Sequence, residues 1–158
     1  MLALEAMRYV TTDFLLLLVG EETLDQKSNY LNELKHYITE QKLEDKIQFL
    51  NFTQSPADVF NAIDWTLMAS YSETFGMVTL ESMACGTPVI GSDSGGTKSL
   101  IKEGKLGILF EPKNPLDLAE KLNYVLTTPS LISKSQLVTS AQTFDYNMIC
   151  ERVEKLLK

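Results

Sequence analysis

The stretch Trp65–Gly91, WTLMASYSETFGMVTLESMACGTPVIG, decides the fold class. Trp65 to Ala69 is an apolar run of strand length. Met77 to Cys85 reads as a helix, and Gly86 ends it, because glycine readily takes the left-handed conformation that closes a helix. Thr87 to Gly91 is a second strand. Pro88 is acceptable there only near the start, since proline cannot donate to a ladder. Strand, crossover helix and strand make the unit of a parallel sheet.

The alternation continues outward. Upstream, Leu2 to Val10 reads as a helix and Asp13 to Val19 (DFLLLLV) as a strand with almost no polar break. Such runs belong to strands buried on both faces. Ser28 to Leu43 carries Leu31, Leu34 and Ile38 on one helical face, the mark of an amphipathic helix. Ile47 to Leu50 is a strand and Ala57 to Ile63 a short helix. Downstream come a helical turn at Thr97 to Ile101 and a strand at Gly107 to Phe110. Asn114-Pro115 opens another helix, with Asn as cap and Pro at the first helical position. Ser130 to Ser140 and Met148 to Leu157 read as the last two helices. Five short strands alternating with helices predict an α/β fold with a doubly wound, Rossmann-like parallel sheet. Such a domain ordinarily opens with a strand, whereas this sequence opens with a helix. The expectation is that the natural protein extends upstream by a first strand, which would leave an unpaired edge prone to self-association.

The totals fit one domain. The chain has 158 residues, 44% hydrophobic and 22% charged, as in a globular protein. Its formal net charge of −7 argues against a general nucleic-acid binder, which needs a basic face. Cys85, Cys150 and His36 lie far apart, a poor set for structural zinc, and no metal is expected. Two cysteines fit a reducing, cytoplasmic setting. Phe14 to Val19 is too short to span a bilayer, so no membrane insertion is expected from this segment. His36, mid-helix beside Lys35 and Tyr37, reads as a surface residue.

The candidate chemistry lies between the two strands quoted first. Ligands of open parallel sheets sit outside the carboxyl ends of the strands, and Glu73 follows the strand ending near Ala69. Gly76 permits close backbone approach. The amides of Gly76, Met77 and Val78 are the free donors of a new helix, a ready site for a diphosphate. Glu81 lies about one turn into that helix. A carboxylate can accept two hydrogen bonds, which matches the two hydroxyls of a ribose. Gly95-Gly96 places a second turn at the same edge, and Lys98 follows it within reach of a phosphate. Each feature has a plainer reading. Two glutamates at this spacing are common in helices, Phe75 and Met83 fit a core, and Lys98 fits a solvated surface. The combination carries the argument.

ETFGMVTLESMACGTPVI, Glu73 to Ile90, followed by SDSGG, Ser92 to Gly96, resembles the E-x7-E signature of retaining GT-B glycosyltransferases (glycosyltransferase group 1). The resemblance extends to Phe14–Gly20, Lys46–Phe52, Leu106–Phe110, Leu116–Leu126 and Phe144–Leu157. It implies that residues 1–158 form the carboxyl-terminal, donor-binding half of a GT-B fold, whose amino-terminal acceptor domain lies elsewhere in the protein. It implies that Glu81 binds the ribose and that Glu73 is the catalytic contact to the donor sugar. Phe75, Gly76, Met77 and Val78 would supply backbone contacts to sugar and phosphate, with Gly20, Gly95, Gly96 and Lys98 as secondary candidates. It further implies retention of anomeric configuration, same-face reaction with the leaving phosphate as base, and no metal cofactor. The donor would be a nucleotide-diphosphate sugar such as a UDP- or GDP-sugar. The product would enter cell-surface polysaccharide, lipopolysaccharide or glycolipid, made in the cytoplasm or peripherally at the inner membrane face.

Four departures stand against the family pattern. The second glycine usual after Val19-Gly20 is replaced within Glu21-Glu22-Thr23. The Arg and Lys that precede the family's first helix have no counterpart after Met1, Asn51 stands where the family has glycine, and Ser99 stands where it has an acidic residue. The alternatives are a non-catalytic Rossmann-like binding or interaction module and a degenerate transferase. Asp13, Asp64 and Asp93 do not make a receiver-type acidic cluster, and Gly20-Glu21-Glu22 is a poor flavodoxin-type phosphate loop.

Overall fold

The computed structural model describes residues 1–21, 29–70, 73–102, 104–128 and 132–145. The chain divides into two compact units, Met1–Ser55 with Lys113–Pro129, and Pro56–Pro112 with Ser130–Lys158.

The first unit holds α1 (Leu2–Met7), β1 (Leu16–Val19), α2 (Tyr30–Glu40), β2 (Ile47–Leu50) and a later helix, Pro115–Thr127. β1 and β2 are parallel, with Leu16 opposite Ile47 and Val19 opposite Leu50. The expected strand Asp13–Val19 is therefore shortened to four residues, the length for which β2 offers partners. The expectation that this run is buried on both faces is also corrected. Leu16, Leu17 and Leu18 are half-buried and Leu15 is 60% exposed; among the described residues β1 pairs with β2 alone. Leu4, Ala6 and Met7 of α1 are buried, as is the stripe Leu118, Ala119, Leu122 and Val125 of the later helix. Asn123 ties the two helices. Its Nδ2 donates to the Tyr9 carbonyl at 3.1 Å, and its Oδ1 accepts from the Thr11 amide at 2.8 Å.

The second unit holds α3 (Pro56–Ala62), β3 (Thr66–Met68), α4 (Met77–Ala84), β4 (Val89–Ser92), α5 (Gly95–Leu100) and β5 (Gly107–Phe110). In chain order the helix Pro115–Thr127 of the first unit is then α6, and Lys134–Gln142 of the second unit is α7. The sheet is parallel in the order β3-β4-β5. β4, flanked on both sides, is the strand whose residues are all buried. The core gathers Met83 of α4, Val89, Leu100, Ile101 and Leu106 with Leu137 and Ala141 of α7. A buried polar chain ties helix to sheet. Thr66 and Ser82 share a hydroxyl hydrogen bond of 2.7 Å, Ser82 Oγ donates to the Thr87 carbonyl, and Thr87 Oγ1 donates to the Phe60 carbonyl. Buried hydroxyls persist when they are paired in this way.

The five expected strands are all present; they form two ladders, of two and three strands, each parallel within itself. Helix bounds shift by a few residues. α7 starts at Lys134, where Ser133 and Gln136 form a capping box. The expected helix at Met148–Leu157, and Cys150 within it, lie outside the described residues. α6 opens as its sequence predicts. Asn114 Oδ1 accepts from the Leu116 and Asp117 amides at 3.1 Å each, with Pro115 first in the helix. Replacing a capping side chain costs about 1 kcal/mol. Asn114→Ala is therefore expected to lower unfolding free energy by about that amount in urea denaturation.

Candidate functional site

The site belongs to the second unit, at the carboxyl end of β3 and the start of α4. Gly76 is the N-cap of α4, with φ of +88° and no capping side chain. Among the described residues, no N-cap side chain takes the first amides of α4. Helix starts of this kind favour anions, because the amides point outward and the helix dipole is positive there. Along α4, Thr79, Ser82 and Met83 face inward, while Met77, Val78, Glu81 and Ala84 form the exposed stripe. Glu81 thus stands one turn from those amides and on the open face. It also lines an open cleft of about 470 Å³ with Leu80, Ala84, Val138, Gln142 and Phe144.

Glu73 sits in the loop before α4 and is half-buried. Neither the Glu73 nor the Glu81 carboxylate has a hydrogen-bond or ion-pair partner among the described residues. Two such carboxylates flanking a helix start without a capping side chain can accept hydroxyl donors while the amides hold an anion. Phe75, expected either in the core or against a ligand, is 44% exposed and sets its ring edge-on to Phe144, centroids 5.9 Å apart. Met83, by contrast, is fully buried core. Met77 and Val78 are 53% and 42% exposed, so the first turn of α4 presents apolar side chains beside its amides.

The glycine pair behaves differently from a free, amide-rich turn. The Gly96 amide donates to the Glu73 carbonyl at 2.9 Å. A Cβ on Gly95 would stand 2.3 Å from that carbonyl oxygen, and one on Gly96 would stand 2.1 Å from the Phe75 carbonyl oxygen. These glycines are the floor on which the Glu73 loop lies. The sequence showed the pair but not this contact, since it joins residues about twenty positions apart. Lys98 Nζ pairs with the Asp93 carboxylate at 2.8 Å, so its charge is already engaged. Gly20 ends β1 in the first unit, exposed and in open space. His36 lies on the surface in contact with Glu40 at 3.4 Å, and Trp65 is half-buried just before β3.

Residues 1–143 match the family described as "Glycosyl transferases group 1". The chain belongs to this family. It is similar to a D-inositol 3-phosphate glycosyltransferase of Rhodococcus erythropolis, at 37% identity over 92 residues. That match spans 57% of this chain and 21% of the relative. Among solved structures it is similar to HepE of Anabaena in complex with UDP, at 27% identity and a TM-score of 0.87, covering 99% of this chain and 44% of that one. Sucrose-phosphate synthase of Thermosynechococcus elongatus gives 26% identity and a TM-score of 0.84, covering 98% of this chain and 41% of that one. The chain therefore spans less than half the length of these relatives. The fold is the Rossmann-like half of a GT-B glycosyltransferase.

The glycine floor gives a direct test. Gly96→Ala drives a methyl into backbone, and overpacking of this kind costs about 3 kcal/mol. Gly104→Ala meets only Leu109 Cδ1 at 3.9 Å and should cost about 1 kcal/mol for its left-handed backbone alone. Thermal melts of the two variants should rank in that order.

Proposed function

We propose that this domain binds a nucleotide-diphosphate sugar and presents it for retaining transfer of the sugar to an acceptor. The observation that carries this reading is the start of α4 at Gly76 without a capping side chain, with Glu73 before it and Glu81 one turn beyond, both carboxylates without a partner among the described residues. In this reading the Met77 and Val78 amides hold the diphosphate, Glu81 accepts from the ribose hydroxyls, and Glu73 contacts the transferred sugar. The HepE structures, solved with UDP and with UDP-glucose, support a uridine nucleotide as the first donor to try. We further propose that an acceptor-binding domain completes the enzyme, and that the product serves cell-surface polysaccharide or glycolipid synthesis in the cytoplasm or at the inner membrane face. Transfer needs both reactants held in register, so the 158-residue chain alone should show no turnover.

Calorimetric titration with UDP, GDP and ADP tests the site. One nucleotide should bind saturably, and Glu81→Ala should weaken it at least about tenfold, or roughly 1.4 kcal/mol. Equal binding by the variant would remove Glu81 from the site, and no binding by the folded wild type would remove the reading.

Self-association belongs to the same proposal. Leu15, Val19, Phe49 and Phe52 of the first unit are exposed at 60%, 45%, 38% and 65%, and exposed apolar side chains favour association. Light scattering should show dimers or larger species at high concentration, and a clean monomer would count against it.

A further inference from the structure

We propose that Thr97 is a positioning residue that fixes the Glu73 loop relative to α4, and so sets the separation of the two carboxylates. The inference rests on the donor-site reading above. Thr97 is only 1% exposed and packs against the start of α4 and against β4, while its chain neighbour Gly96 carries the Glu73 loop. Its Oγ1 lies 3.0 Å from Thr79 Oγ1, a fully buried hydroxyl pair between the first turns of α5 and α4. Its amide nitrogen and Oγ1 each lie 3.3 Å from where a Cβ on Gly76 would stand. Its methyl fills the space above β4, where a Cβ on Gly91 would come within 2.3 Å of Cγ2. The preceding residue, Gly96, donates its amide to the Glu73 carbonyl.

One side chain and its neighbour therefore hold three parts of the site to one base. The strand end is held through Gly91, the helix start through Gly76 and Thr79, and the loop through Gly96 and Glu73. Thr97 touches no ligand in this arrangement. It acts through the placement of Glu73 against Glu81. A ligand that engages α4 alone should be indifferent to a small change at Thr97. A ligand that must reach both α4 and the loop should not, because binding across two elements depends on their relative position to within about half an ångström.

The test compares UDP with UDP-glucose on wild type, Thr97→Val and Thr97→Ser. Valine keeps the shape against Gly91 and loses the hydroxyl that Thr79 shares. Serine keeps the hydroxyl. Thr97→Val is expected to weaken UDP-glucose about tenfold while UDP stays within about twofold, and Thr97→Ser is expected to restore the difference between the two ligands. Hydrogen exchange should also quicken at the Gly96 amide in Thr97→Val. A valine variant that keeps wild-type affinity for both ligands would overturn the proposal. So would one that loses both by the same factor along with its melting temperature, since that is the signature of a merely structural residue. Failure of wild type to bind either ligand would instead sink the donor-site reading, and the positioning role with it.

Discussion

The constraint on which the second unit depends is the near-contact of two backbones. The Glu73–Phe75 segment lies on the Gly95–Gly96 turn so closely that neither glycine could carry a side chain without a collision of 2.3 Å or less. The approach pairs the Glu73 carbonyl with the Gly96 amide, which removes an orphan polar group from a crowded place. Among the described residues, no capping side chain of that loop takes the amides at the start of α4. Had Gly76 been a serine or aspartate in the usual capping conformation, its side chain would have taken one of those amides. A glycine cap keeps them for another acceptor.

The parallel topology explains why that loop is where it is. Parallel strands need a crossover, and the crossover from β3 to β4 is α4 itself. Its start must follow the carboxyl end of β3, and its buried face must meet the sheet. Thr79, Ser82 and Met83 supply that face, and two of the three are hydroxyl residues whose partners lie on neighbouring elements. Each pair joins α4 at a defined register, where apolar contacts alone would allow sliding. The open face then falls to Met77, Val78, Glu81 and Ala84. The address of Glu81 is thus a consequence of how α4 docks.

Much of this was legible in the sequence, for reasons that differ by element. Ile47–Leu50 and Gly107–Phe110 are short apolar runs bounded by polar or glycine residues, and both occur with the expected bounds. α6 announces itself through Asn114-Pro115. The start of α4 is legible because Gly76 breaks one pattern and begins another. DFLLLLV misled in degree: its apolar content promised a strand buried on both faces, but burial depends on what packs against those faces, and Leu16 to Leu18 are half-buried. The split into two ladders is a matter of pairing that strand identity alone does not specify. The candidate site shows the same division. Glu73, Gly76 and Glu81 stand out through local spacing. The work of Gly95, Gly96 and Thr97 rests on contacts across some twenty residues, and nothing local distinguishes them from an ordinary turn. Lys98 reads as a solvated surface residue with a phosphate within reach as the alternative, and its ion pair with Asp93 is a contact that local spacing does not reveal.

A carboxylate beside an anion site needs a physical justification, since the proposed ligand is itself negative and the chain carries −7. The helix start offers about half a positive charge, and hydrogen bonds to charged groups are worth about 1.5–3 kcal/mol each. Against this, like charges a few ångströms apart repel by about 1 kcal/mol in water and about 4 kcal/mol near a protein surface. Glu81 is exposed, so the lower figure is nearer its case. Two hydroxyl donors on its oxygens outweigh that repulsion, and a ligand without donors has nothing to set against it. Inorganic pyrophosphate has only acceptors to offer Glu81 when ionised, whereas a nucleoside diphosphate brings a ribose. A carboxylate in this position therefore weakens the site for bare phosphates and favours an anion that arrives with hydroxyls attached, which is the discrimination that a nucleotide-sugar site requires.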